Sequence, residues 1–193
     1  KNAHAAMPWV VVWDDHEVAN NAWRDGAQNH DPSEGDYHVR RDAAIRAYYE
    51  WMPVRPTQTS DEGHIYRTFT FGDLVELTIM DLRTYRDVEF WRGGSNQPAD
   101  ARTMLGSEQY NWLISTLEAS TTKWNALGNS VMFSPLRLGA VLQNPATRPI
   151  AKALSANILS SKAEVPSFNE LPLNGDQWDG YDFERRRLIN TLG

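Results

Sequence analysis

The chain has 193 residues, 41% of them hydrophobic, with eight tryptophans, which is enough apolar material for a packed core and excludes the disordered class. The formal charge is −6, without long blocks of one sign, which argues against nucleic acid as a main partner, since that wants a basic face. Cysteine is absent, which removes disulfides and zinc–thiolate sites, and no apolar run approaches the ~20 residues of a membrane-spanning helix.

The first segment, "PWVVVWDDHEVANNAW", places Val10–Val12 between Trp9 and Trp13. A short β-branched run with Pro8 at its start predicts a strand buried on both faces. Ala19 to Gly35 turns polar and reads as a surface loop. Tyr37 to Met52 reads as a helix, with Ala44, Tyr48, Trp51 and Met52 on one stripe, Asp36 as N-cap and Pro53 as the stop. Pro56 to Gly63 reads as a linker. Ile65–Phe71 and Leu74–Leu82, joined by Gly72-Asp73, predict a hairpin with a two-residue turn. Arg83 to Thr103 reads as irregular. Ser107 to Ala119 has the clearest helical period: Tyr110, Leu113, Ile114 and Leu117 share a face, Ser107 is the expected cap, and Glu108 suits the positive helix end. Val131–Phe133 predicts a further strand, and Tyr181 to Leu192 a last helix. Residues 137 to 172 give no clear pattern. Strands mixed with helices in this order predict a layered α/β fold.

Asp14, Asp15, His16 and Glu17 follow directly on the most apolar segment. In layered α/β folds, ligands bind beyond the carboxyl ends of strands. Carboxylates and imidazole there suit a hard or borderline cation, or a phosphoryl contact, or proton donation to a leaving alkoxide. The bland alternative is a solvated strand end whose Asp caps the next turn. Asn20 and Asn21 read as amides reaching a metal or substrate, or as turn formers. Asp81, Arg83 and Arg86 read as an ion-pair network at the hairpin end. His4, His30, His38 and His64 read as ordinary surface histidines. Trp51, Trp91, Trp112, Trp124 and Trp178 read mostly as core, and Arg185–Arg187 as a solvated helix face.

"VVVWDDHEVANNAW" resembles the signature of the PhoD-like alkaline phosphatases and phosphodiesterases, a branch of the calcineurin-like metallophosphoesterases. So, in order, do "HVRRDAAIRAYYEWMPVRP", "YRTFTFGDLVELTIMDLRTYRD", "MLGSEQYNWLISTLEASTTKWNALGNSVMFSPL" and "WDGYDFERRRL". The resemblance implies an α/β/β/α sandwich, incomplete in this chain, with residues 1–193 as the central part of a single domain and flanking strands outside it. It implies metal-dependent hydrolysis of a phosphate mono- or diester by two cations, calcium and iron being the family's metals, in a periplasmic or extracellular protein. Laid onto the superfamily motif, Asp15 takes a metal-ligand position and His16 a catalytic position at the phosphoryl group. Asp14 is then structural and Glu17 lies behind the ligands. Asn129, after Gly128, is either a metal ligand or a turn cap. Asn21 is carried as the substrate-binding amide. Because a Gly-Asp-x-His motif is missing between Lys1 and Gly193, the isolated span is expected to be inactive, and its uncovered strand edges invite self-association. The other class of reading is a non-catalytic secreted binding or structural module that keeps the fold.

Overall fold

The computed structural model describes residues 2–55, 64–89, 100–137, 145–146, 149 and 174–192. The expected linker at 56–63, Trp91 and most of the unpatterned stretch after residue 137 lie outside these residues.

Helix α1 spans Asn2–Ala6 and α2 Tyr37–Trp51. Strands β1 (Arg67–Phe71) and β2 (Val75–Ile79) are followed by α3 (Gly106–Ala119), β3 (Trp124–Gly128) and α4 (Asp182–Leu192). Short 3-10 turns cover Pro32–Glu34 and Trp178–Tyr181. The strands form one mixed sheet in the order β1-β2-β3. β1 and β2 are antiparallel, with Phe71 opposite Val75, so Gly72, Asp73 and Leu74 form a three-residue loop rather than the expected two-residue turn. Gly72 sits at φ +59°, a conformation that glycine adopts without steric cost. β2 and β3 are parallel, as expected for strands joined through a helix, here α3.

The core lies between this sheet, α3 and α4. Met80, Leu82, Met104, Leu105, Leu113, Trp178, Tyr181 and Leu188 are its buried members, with Ile114, Leu117 and Phe133 packed against them. The α3 stripe read from the sequence thus faces the core. Its cap differs. Thr103 Oγ accepts the Gly106 N–H at 2.7 Å, and Glu184 of α4 accepts the Met104 and Leu105 N–H groups at 2.6 and 3.2 Å. The helix starts one residue before Ser107, so Ser107 is not its cap, and a carboxylate from a distant helix satisfies the backbone donors just ahead of it.

Four further expectations are corrected. Val10–Val12 is not a strand among the described residues: it runs without a ladder, with Trp9 and Val10 exposed, and the Val11 carbonyl accepts from the Arg67 guanidinium at 2.7 Å. β-branched composition favours extension, but a strand also needs a neighbouring backbone. Val131–Phe133 is irregular, and the strand is instead Trp124–Gly128, whose backbone finds β2. In α2, Asp36 caps through the His38 N–H at 2.7 Å as expected, but Trp51 is 80% exposed. The inward face is Tyr37, Arg41, Ala44, Ile45 and Tyr48, with Trp13 edge-on to Tyr48 at 5.4 Å and to Tyr49 at 5.8 Å. Trp124 is exposed as well, whereas Trp178 is fully buried. Finally, the Ala19–Gly35 loop is not all surface: Ala19, Ala22 and Ala27 form a small second core with Tyr37.

Candidate functional site at the carboxyl edge of the sheet

Because β2 and β3 are parallel, their carboxyl ends lie on one edge of the sheet. β2 runs out into Asp81, Arg83 and Arg86, and β3 into Asn129 and Ser130. The Asp14–Glu17 segment reaches the same edge, since Asp14 Oδ1 accepts from Arg83 Nε at 2.6 Å and from Ser130 Oγ at 3.3 Å. This is the position at which parallel α/β sheets place ligands, reached here without the predicted first strand.

Beneath it lies a buried ion cluster. Arg83 donates through both terminal nitrogens to Asp176, at 2.8 and 2.9 Å, a paired geometry that gives direction as well as charge. Arg86 donates to the Asp176 carboxylate at 2.6 Å and carbonyl at 2.7 Å. Two more of its donors go to the Ala22 and Asn21 carbonyls, at 2.9 and 3.0 Å. Arg86 is therefore the bolt between the loop after Asp15 and the loop that carries Asp176. Burial alone would push the Asp176 carboxyl up, but the Arg83 hydrogen bonds and the nearby Arg86 outweigh it and hold the carboxyl below the usual carboxylate range.

Asp81 does not belong to this cluster as an ion-pair partner. Its carboxylate accepts the Arg83 and Thr84 backbone N–H groups, both at 3.0 Å, and the Thr84 hydroxyl. This local turn competes with any ion pair. Fully buried Gln109 accepts the Asp81 N–H and donates to its carbonyl, each at 2.8 Å, which ends the ladder of β2 against α3. Asp176 and Gln109 were not foreseen. The partners of Asp176 lie about ninety residues earlier in the chain.

Above the cluster, Asp15 is buried and His16 exposed. Asp15 Oδ2 accepts the Asn21 N–H at 2.7 Å and lies 3.7 Å from His16 Nε2, while Oδ1 lies 3.9 Å from Arg83. Asn21 adopts φ +50°, a left-handed turn that asparagine tolerates. Asn20 Oδ1 meets His16 Nε2 at 3.0 Å, and the side-chain amides of Asn20 and Asn21 both donate to Gln28 Oε1 at 2.8 Å. Glu17 accepts the Asp14 N–H at 2.8 Å and closes the turn. Asn129 donates to the Val131 carbonyl, and its oxygen accepts the Trp178 indole N–H at 3.0 Å.

The structure thus sets Asp15 against the Asn21 N–H and beside His16, and places Asn129 next in sequence to Ser130, which donates to Asp14. Asp15 and Asn129 offer oxygen donors of the type that a hard cation takes. Asp15 keeps free lone pairs on an otherwise restrained carboxylate, and the Asn129 oxygen keeps its second lone pair. Among the described residues, no three His, Cys, Asp or Glu side chains converge as a group able to hold a metal ion.

Two histidines read as surface residues are not: His64 is buried against Tyr66 and Tyr85, and the His30 ring packs edge-on to Tyr37. Arg185, read as solvated, is buried and pairs with Asp182.

Comparison with known proteins agrees with this architecture. The chain is 36% identical to an alkaline phosphatase D of Bacillus subtilis (strain 168) over 203 residues, covering 100% of this chain and 29% of that protein. A solved structure described as "Structure of PhoD" superposes with a TM-score of 0.71 at 33% identity, over 98% of this chain and 32% of that one. The chain therefore spans about a third of the length of these relatives. A family model described as PhoD-like phosphatase matches residues 1–193, and the chain belongs to that family.

Proposed function

We propose that this chain carries part of the site of a metal-dependent phosphoesterase acting on phosphate mono- or diesters, as the central part of a single catalytic domain. The observation that carries the reading is the pairing of a buried, restrained carboxylate, Asp15, with an exposed imidazole, His16, at the carboxyl edge of the parallel strands. Family membership supplies the substrate class.

In this reading Asp15 and Asn129 hold a cation, calcium or iron by resemblance, and the remaining ligands come from residues beyond those described. A bound cation polarises the phosphoryl oxygens as a Lewis acid. The work of the described residues is positional and protic. Arg83 holds Asp14, and so orients the segment that presents Asp15 and His16. The Asn21 N–H keeps the Asp15 carboxylate in place. His16, with its side chain 77% exposed, is free to meet a phosphoryl or leaving oxygen. Asn21 serves the substrate by setting this turn, since its side-chain amide is already engaged with Gln28.

The test is made in the full-length protein. Asp15→Ala is expected to lower metal content and phosphate-ester turnover together. His16→Ala is expected to keep metal and lose turnover by roughly 10²–10⁴-fold. Metal content is read by elemental analysis and turnover with a chromogenic phosphate ester. Equal metal loss in both variants would make His16 a ligand. Unchanged turnover in both would end the reading.

A further inference from the structure

We propose that Trp178 is a positioning residue for Asn129. Its indole N–H fixes the sense of the Asn129 side-chain amide, so that the oxygen, and not the NH2 group, is presented to a cation. The proposal rests on the reading of Asn129 as a metal ligand given above.

The two partners of the Asn129 amide decide its orientation between them. An indole N–H can only donate, and a backbone carbonyl can only accept. Trp178 Nε1 lies 3.0 Å from Asn129 Oδ1, and Asn129 Nδ2 faces the Val131 carbonyl. Turned over, the amide would set NH2 against N–H and oxygen against oxygen, losing both bonds and adding two repulsions. One sense is therefore selected. The NH2 group is spent on the turn after β3, and the oxygen keeps one lone pair beyond the indole bond. A hard cation takes such an oxygen lone pair, and an amide NH2 offers none.

Both ends of the contact are rigid. Trp178 is fully buried in the main core, and its ring stands edge-on to Phe133 at 5.3 Å. Asn129 follows Gly128, which closes β3 tightly against β2. A β-carbon at Gly128 would overlap Ile79 Cδ1, and the Gly128 carbonyl accepts the Met80 N–H at 3.1 Å. The turn that carries Trp178 is folded as closely. A β-carbon at Gly180 would overlap the Gly175 carbonyl, and the Gly180 N–H donates to the Gln177 carbonyl at 2.9 Å. Two residues before Trp178, the same turn carries Asp176, whose carboxylate holds Arg83 and through it Asp14. One short segment thus supports Asn129 directly and the Asp15 segment through Arg83. Coordination asks for the right atom in a fixed place, and a support of this kind supplies both.

The experiment measures the calcium affinity of the metal-stripped full-length protein by competition with a chelator. Trp178 is replaced by benzothienylalanine, which keeps the ring system and puts sulfur where the N–H stood, so the core stays filled. Loss of the N–H should weaken calcium binding by about 10–100-fold, as is usual for partners behind a ligand. The same replacement in an Asn129→Asp background should cost almost nothing, because a carboxylate presents oxygen in either sense. Equal losses in the two backgrounds would make Trp178 a packing residue only, and no loss beside Asn129 would leave the amide oriented without it; either result overturns the proposal. Calcium retained in Asn129→Leu but lost in Asp15→Ala also overturns it, while the phosphoesterase reading stands. Calcium retained in both removes the cation from this edge, and the reading falls with the proposal.

Discussion

The two polar networks at the carboxyl edge share a boundary and differ in construction. The lower one, Arg83, Arg86 and Asp176, is buried at 4%, 0% and 8% exposure. Every bond in it is charge-assisted or ends on a carbonyl of a distant loop. The upper one, His16, Asn20, Asn21 and Gln28, is made of imidazole and neutral amides, and its bonds span no more than eight residues. They meet at Asn21, whose carbonyl accepts from Arg86 and whose N–H donates to Asp15. Long-range ion pairs in low dielectric fix where the loops sit; short-range amide bonds at the solvent boundary fix which way a few atoms point. The first should govern stability and the second chemistry.

The largest effect expected from breaking this contrast is in Asp176→Ala. It leaves two buried guanidiniums without their shared carboxylate, and loss of one partner from such a cluster costs about 3–5 kcal/mol. Urea denaturation measures it. A cost under about 1 kcal/mol would mean that the cluster is solvated and the contrast false.

Acid sharpens the comparison. Because the Asp176 carboxyl is held below its ordinary value, its contribution is present above the unfolded-state value of about 3.9 and is lost as pH falls through the lower folded-state value. Asp182 acts in the same sense: burial pushes its carboxyl up, but Arg185, Arg137 and Arg186 hold it down. Glu184 has the opposite sign. Burial raises its carboxyl despite the Thr103, Met104 and Leu105 donors, so its contribution is present in acid and is lost as pH rises through its raised value. The stability gap between the parent and Asp176→Asn should therefore narrow below about pH 4. A gap independent of pH would assign the stabilisation to shape rather than charge.

The smallest effect belongs to the upper network. His16→Ala is expected to shift stability by no more than about 0.5 kcal/mol, since the ring is largely in solvent. A denaturation midpoint coincident with the parent, beside a large loss of turnover, separates the two networks in one protein. A loss of several kcal/mol would place His16 in the structural class.

Much of the local structure was legible from periodicity. The α3 stripe at Tyr110, Leu113, Ile114 and Leu117 and the Asp36 cap depend on neighbours within a few residues and appear as read, as does the hairpin about Gly72 apart from its loop, which is one residue longer than expected. The hydrophobic run at Val10–Val12 misled because its extension is local and its pairing is not. The same holds for Val131–Phe133, where the backbone that pairs with β2 begins at Trp124 instead. Trp51 satisfied a helical stripe on paper, but the segment packed against α2 is Trp13 to Trp23, and it meets a face rotated toward Tyr37, Arg41 and Tyr48.

By itself the sequence determined the elements whose forces act over a turn of helix or a hairpin, and the family signature that runs through Asp14–Trp23. Only the tertiary structure decided which charges meet. Asp176 reaches Arg83 across 93 residues and Glu184 reaches Met104 across 80, and no spacing rule encodes either pair. Charges leave water only where folding has already brought a partner, so the identity of that partner is a property of the packed chain.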